Sequence, residues 1–312
     1  MAGPWRIVFM GTPEFAVGSF TACLEVGQVV AVVTQPDKPR GRGQEVQASP
    51  VKSAALQRGI PVLQPAKLRG TGFSAELSAL APDVCVVTAY GKILPPDLLA
   101  VPRFGCVNVH ASLLPRFRGA APIQWAIASG DKRTGVCLMV MDAGMDTGPV
   151  LARAELPVAP DETFQSLHDR LAKAGHDLLR DELPRYLRGE LSPVAQSAEG
   201  VVAAPMIRKE DGRLDFGRPA KELERRVRAF TPWPGMFTSF AGARVKVREA
   251  REGDGHGAPG TVLAAGPEGL EVACQEGSLV LTALQPEGKR SMSAAEFLAG
   301  RKIAVGSRPF ET

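Results

Sequence analysis

Along the first two-thirds of the chain, short apolar runs alternate with stretches whose apolar positions recur at helical spacing. The strand-like runs are Arg6–Met10, Val29–Thr34, Val84–Ala89, Cys106–His110 and Val136–Met141. They are apolar nearly throughout, the pattern of strands covered on both faces. The helical pattern runs over Glu14–Glu25, Pro50–Gly59, Ala121–Ser129 and Glu162–Arg188. The last of these carries leucines at 167, 171, 178, 179, 183 and 187, with Asp161 placed as an N-cap. Alternation of this kind predicts parallel βαβ units and an α/β fold.

After Arg188 the periodicity fades. Residues 190–205 are rich in small residues and read as a linker. Beyond it come short strands divided by Gly and Pro: Arg244–Glu249, Gly260–Ala264, Leu270–Cys274 and Ser278–Leu284. That spacing predicts a small antiparallel barrel or sandwich. The expected organisation is therefore a domain over 1–189, a linker over 190–205 and a second domain over 206–312.

Composition narrows the function classes. The 312 residues hold 45% hydrophobic and 22% charged positions, as in ordinary globular proteins. No apolar run approaches the 18 or so residues of a membrane helix, so no membrane partner is expected. The N-terminus runs directly into a strand-like segment without the pattern of a targeting peptide, which favours a bacterial cytoplasm. Five cysteines without C-x-x-C spacing and four scattered histidines read as reduced core residues and as no metal set. Gly11-Thr12-Pro13 after the first strand lacks the G-x-G-x-x-G of a dinucleotide site.

The net charge of +4 (37 Lys+Arg against 33 Asp+Glu) is too small to mark a nucleic-acid partner. Residues 208–251, however, hold 12 Lys+Arg against 6 Asp+Glu, a local balance of +6. A helix face whose Arg residues pair with Glu222 and Glu224 would explain this, as would a surface that tracks phosphates.

Candidate chemistry sits at two strand ends. Asn108 and His110 lie two apart on a strand, so both point to one face, roughly 7 Å apart. An amide can donate to a developing oxyanion while an imidazole handles a proton, which suits acyl transfer. Taken alone, the same pair reads equally as a turn Asn and a His satisfied by backbone. Asp142 and Asp146 follow what should be a neighbouring strand, where a carboxylate could orient the imidazole or simply form a turn.

Together these residues resemble a known family. Asn108, His110, the run Ser112-Leu113-Leu114-Pro115 and Asp146 resemble the signature of the formyltetrahydrofolate-dependent formyltransferases. Further matches are Gly11-Thr12-Pro13, Thr34–Asp37 with Arg40–Gly43, Ala89–Pro95, Arg118–Pro122 and Arg228–Gly235, so the resemblance spans both halves of the chain. It is strongest to the members that act on methionyl initiator tRNA.

The resemblance implies a Rossmann-like catalytic domain and a C-terminal OB-like β-barrel domain that binds tRNA. Asn108, His110 and Asp146 would be catalytic. Ser112, Leu113, Leu114 and Pro115, with Ile93, Leu94 and Asp142, would line the folate site. The donor would be 10-formyltetrahydrofolate, without a metal, and the acceptor the amino group of methionine on initiator tRNA. Arg42, with Lys38, Arg40 and Lys209, would contact the tRNA, and the enzyme would be a monomer. A small-amine acceptor or water, or an idle RNA-binding protein, are the competing readings. The basic segment argues against the first two, and the intact trio argues against the third.

Overall fold

The computed structural model describes residues 4–40 and 45–311. Contacts divide the chain into two units. One holds the residues through Pro122 together with Arg133–Pro157 and Leu167–Pro205; the other holds Ile123–Lys132, Val158–Ser166 and the chain from Met206 onward.

The first unit is built on strands β1 (Arg6–Gly11), β2 (Gln28–Val33), β5 (Val62–Leu63), β6 (Val84–Thr88), β7 (Cys106–His110), β8 (Arg133–Val140) and β9 (Val150–Pro157). A separate ribbon of β3 (Lys38–Arg40) and β4 (Glu45–Gln47) follows β2. The helices of this unit are α1 (Phe15–Val26), α2 (Pro50–Leu56), α3 (Phe73–Ala79), α4 (Pro96–Leu99) and, from Leu167 onward, α6 (Phe164–Leu187); α5 (Pro122–Ser129), between β7 and β8, groups with the second unit from Ile123 onward. The sheet order is β5-β2-β1-β6-β7-β8-β9.

Pairs from β5 through β7 are parallel; β1, β6, β7 and most of β2 are buried as their apolar sequences require, while the short edge strand β5 is half-buried. One face holds a cluster that includes Val8, Met10, Leu77, Cys85, Tyr90 and Leu98.

Two elements depart from the sequence reading. The strand expected at Val136–Met141 does occur, but β8 pairs with β7 antiparallel, with His110 opposite Cys137 and Val107 opposite Val140. A parallel return needs a helix that carries the chain back along the sheet. Here β8 begins at Arg133, beyond the His110 end of β7, so the chain re-enters the sheet at the end where it left. The alternating sequence of β9, half-buried on one face and exposed on the other, marks an antiparallel edge strand that the apolar runs did not include. Asp161 is not the cap of α6: the Thr163 hydroxyl accepts from Ser166 N at 3.2 Å, and the Ser166 hydroxyl from Thr163 N at 3.1 Å.

In the first unit, α6 turns Leu167, Leu171, Leu179, Leu183 and Leu187 inward. Residues 190–205 also group with this unit. Val194 and Val150 exchange backbone hydrogen bonds of 2.8 and 2.9 Å. Arg118 does the same with the segment at 202–204, donating to Val202 O at 3.0 Å and accepting from Ala204 N at 2.7 Å.

The second unit carries α7 (Ala220–Phe230), β10 (Met236–Phe240), β11 (Ala243–Gly253), β12 (Val262–Gly266), β13 (Gly269–Ala273), β14 (Ser278–Pro286), β15 (Met292–Ser293), α8 (Ala294–Leu298) and β16 (Phe310–Glu311). Its antiparallel sheet runs β12-β13-β14-β11-β10-β16. Gly306 and Ser307 exchange backbone hydrogen bonds with Val262 of β12, and the chain then enters β16, so the two end strands are joined through 306–311. Among the described residues no helix is long and apolar enough to cross a membrane.

Candidate active site

Asn108 and His110 project from one face of β7, both nearly buried at 9% and 6% exposure. Asp146 reaches them from the loop between β8 and β9. Because β8 is antiparallel, that loop leaves the sheet beside the start of β7 and folds back over the strand. The placement was not readable from strand-end reasoning, which assumed a parallel neighbour.

Asp146 Oδ1 lies 3.6 Å from His110 Nδ1 and 3.5 Å from Asn108 Nδ2. Both separations are long for hydrogen bonds, so neither nitrogen is committed to the carboxylate. The other carboxylate oxygen, Oδ2, is fixed: it accepts from Gly119 N at 2.8 Å. On the far side of the ring, His110 Nε2 lies 2.9 Å from the carbonyl oxygen of Phe117. Asp146 and Phe117 are non-glycine residues in the left-handed region, at φ 54° and 60°. Both make contact with the imidazole, Phe117 through its carbonyl and Asp146 through its carboxylate.

A pocket of about 150 Å³ adjoins this constellation, bordered by Lys92, Ile93, Leu94, Met139, Met141 and residues 142–146. Ile93 and Met145 stand exposed at 67% and 61%, while Leu94 is buried. The opening thus has an apolar wall with a carboxylate beside it. Asp142 Oδ1 accepts from Gly144 N at 3.0 Å and from Thr147 Oγ1 at 2.7 Å, which shapes the loop. Lys92 Nζ donates to Pro65 O at 2.6 Å and Ala66 O at 2.9 Å. Its ammonium is held below the usual lysine range, first by burial and then by the charge of Lys38.

Of the residues expected at a folate site, Ile93, Leu94 and Asp142 border this pocket and the run Ser112–Pro115 does not. Ser112 is fully buried and its hydroxyl donates to Arg116 O at 2.6 Å, closing a turn. Leu114 packs with Cys137, Met139 and Val150 beneath the β8–β9 hairpin.

Among the expected tRNA contacts, Lys38 is exposed on β3 with Nζ 3.4 Å from Gln35 Oε1. Arg40 ends the same strand, and Arg42 lies outside the described residues. Lys209 is exposed in the second unit. The base of the Lys38 segment is anchored: Asp37 accepts from Lys52 at 2.5 Å and from Gln64 at 2.9 Å, and Gln35 Nε2 donates to Tyr90 O at 3.0 Å.

The basic segment divides. Arg218 and Arg226 pair with Glu222, and Arg228 is bidentate to Glu224 while also donating to Glu162 O. For these three the local-pairing account holds. On β11, by contrast, Arg244 and Lys246 share one face, with Ser239 and Phe237 of β10 opposite them, and Arg248 follows at an irregularity of the strand. Arg244 stacks 3.6 Å over the Phe237 ring. Burial, then Arg248 and Arg244, hold Lys246 below the usual lysine range.

Several participants carry no side-chain signature in the sequence: the Gly119 N–H, the Phe117 carbonyl, and Gln196, whose amide meets the loop of Asp146. Arg118-Gly119 was visible as part of a matching run, without a role. Among the described residues no group of three or more His, Cys, Asp or Glu is placed to hold a metal ion.

Comparison with known proteins gives a consistent result. The family described as Formyl transferase matches residues 5–183, and the one described as Formyl transferase, C-terminal domain matches 206–302. Over 305 residues the chain is 68% identical to the methionyl-tRNA formyltransferase of Myxococcus xanthus, covering 98% of each chain. It is 49% identical over 304 residues to that of Trichlorobacter lovleyi, covering 97% of this chain and 96% of the relative. A solved N-formyltransferase from Helicobacter canadensis, in complex with folinic acid and dTDP-3-aminofucose, superposes with a TM-score of 0.67 at 16% identity, over 90% of this chain and 99% of that one. At that identity the likeness concerns the fold.

Proposed function

The chain belongs to the formyl transferase family, and from that premise we propose that it moves the formyl group of 10-formyltetrahydrofolate onto the α-amino group of methionine carried by initiator tRNA. The observation that carries the mechanism is the convergence of Asn108 and His110 on one carboxylate oxygen of Asp146 at the edge of the pocket.

The lining of the pocket supports a folate as its ligand. Leu94, Met139 and Met141 offer an apolar wall for a flat ring system, Ile93 and Met145 an apolar rim, and Asp142 an acceptor for its N–H groups. When bound, the folate supplies an electrophilic formyl carbon.

The protein's part follows from which nitrogen faces what. The Phe117 carbonyl can only accept, so Nε2 carries the proton of the neutral imidazole. Nδ1 then presents its lone pair towards the substrate side and Asp146. The acceptor amine, present in its neutral form because its pKa lies near neutrality, attacks the formyl carbon, and His110 Nδ1 takes the proton the amine loses as the new C–N bond forms. The resulting imidazolium donates on both sides, to Phe117 O and to Asp146 Oδ1, whose charge stabilises it. Asn108 Nδ2 donates to the negative charge that develops on the formyl oxygen. His110 returns the proton to the departing nitrogen.

The tRNA partner rests on three features: the near-full-length similarity to methionyl-tRNA formyltransferases, the cationic and aromatic face of β10–β11, and the exposed Lys38 and Lys209. Arg40 and Arg42 are proposed as further tRNA contacts on the similarity alone. On this reading the enzyme acts as a monomer, without a metal, in the bacterial cytoplasm.

One assay tests the proposal. The protein is incubated with 10-formyltetrahydrofolate and either methionyl initiator tRNA, methionyl elongator tRNA or free methionine. Transfer to the initiator tRNA alone supports it; formylation of small amines but not charged tRNA contradicts the acceptor, and no transfer to any amine contradicts the activity.

A further inference from the structure

The segment expected to be a plain linker contributes a side chain whose whole hydrogen-bonding capacity is spent beside the reacting groups. Gln196 Nε2 donates to Asp146 O at 2.8 Å and to Gly148 O at 2.7 Å. Its Oε1 accepts from Arg118 Nε at 3.1 Å and Nη2 at 2.8 Å. The amide orientation is fixed by chemistry: carbonyls can only accept and a guanidinium can only donate.

Those contacts tie together the two loops that make the site. Asp146 stands on one of them, at φ 54°. Arg118 stands on the other, next to Gly119, whose N–H holds Asp146 Oδ2 at 2.8 Å. Gln196 therefore grips the backbone of Asp146 and, through Arg118, the loop that grips its carboxylate. The segment itself is anchored on either side of Gln196, by Val194 to Val150 and by 202–204 to Arg118.

No other side chain meets these demands. Glutamate would set a carboxylate against two carbonyls, lysine or arginine would set a cation against Arg118, and asparagine falls one methylene short.

We propose that Gln196 is a positioning residue for formyl transfer, setting the distance between Asp146 and the His110–Asn108 pair. This rests on the reading of the site given above. It acts through Asp146 and need not touch either substrate.

The test uses the full chain carrying Gln196→Ala, Gln196→Glu or the near-isosteric Gln196→Met, with Glu199→Ala on the same segment as control. Formylation of methionyl initiator tRNA is followed, with kcat and KM for each substrate measured where circular dichroism shows each variant fully folded. Misplacing a catalytic group by about 1 Å can cost roughly a hundredfold in rate. The expected result is a kcat lowered by roughly ten- to a hundredfold in all three Gln196 variants, with both KM values within about twofold of the parent and Glu199→Ala unchanged.

Parental kcat in folded Gln196 variants overturns the inference, as does a loss confined to KM. Variants that yield no folded protein assign Gln196 to stability alone and also overturn it. A parent chain that transfers no formyl group overturns the underlying reading instead, so the two failures are distinguishable.

Discussion

His110 Nε2 lies 2.9 Å from the carbonyl oxygen of Phe117, and that single contact decides which ring nitrogen is available for chemistry. With Nε2 bound to an acceptor, the atom left for the proposed proton transfer is Nδ1, which faces Asp146 Oδ1 at 3.6 Å. Phe117 offers its carbonyl from a left-handed backbone at φ 60°. In the proposed mechanism the neighbouring residues therefore act through backbone geometry as much as through side chains.

Asn108→Ala is expected to lower kcat for formyl transfer by about 10²–10³-fold, the usual effect of deleting one donor to a developing oxyanion. Binding of tetrahydrofolate, measured by calorimetry, should change far less, because the donor acts on charge present mainly in the transition state. Unchanged turnover would remove Asn108 from the mechanism.

Gly119→Ala tests the approach of 202–204 to the site. Gly119 has φ 127°, and a Cβ there would stand 2.5 Å from the Ala204 carbonyl oxygen. The substitution should destabilise the protein by more than about 1 kcal/mol in urea unfolding. It should also depress kcat, because the Gly119 N–H that fixes Asp146 moves with the backbone.

Leu114→Ala is expected to cost about 2–5 kcal/mol in chemical denaturation, the range for emptying a buried leucine site. Leu114 is 2% exposed and packs with Cys137, Met139 and Val150. A cost well below 1 kcal/mol would show that the loop collapses freely around the missing side chain.

Asp37 gives a pH signature. Hydrogen bonds from Lys52 and Gln64 hold its carboxyl below the ordinary value of 3.8, ahead of the opposing effect of burial. A depressed carboxyl stabilises the fold above the unfolded pKa and loses that contribution as pH falls through the folded one. The difference in melting temperature between the parent and Asp37→Asn should therefore be full at neutral pH and shrink below about pH 4.

Binding of initiator tRNA should weaken at least tenfold between about 50 and 200 mM salt if several phosphates are neutralised. Lys246→Ala should flatten that slope, since Lys246 shares a strand face with Arg244 and feels the charges of both Arg248 and Arg244. A flat dependence in the parent chain would show the β11 face to be an ordinary solvated surface.

The sequence by itself determined the features that local geometry governs. A strand's two-residue repeat places Asn108 and His110 on one face of β7. Apolar runs marked the buried strands, and leucine spacing marked α6, whose cap was misjudged by two residues because Thr163 competes with Asp161 for the same role. Direction in the sheet was beyond such signals, since an apolar run looks alike in parallel and antiparallel pairs. Only the tertiary structure decided that β8 runs against β7, so that the loop of Asp146 folds back over the strand. It alone brought Gly119 and Gln196 to Asp146 across 27 and 50 residues of sequence. The physical reason is range: periodicity records what a residue does within its own element, whereas these contacts join loops whose meeting depends on sheet topology and on the anchoring of 190–205.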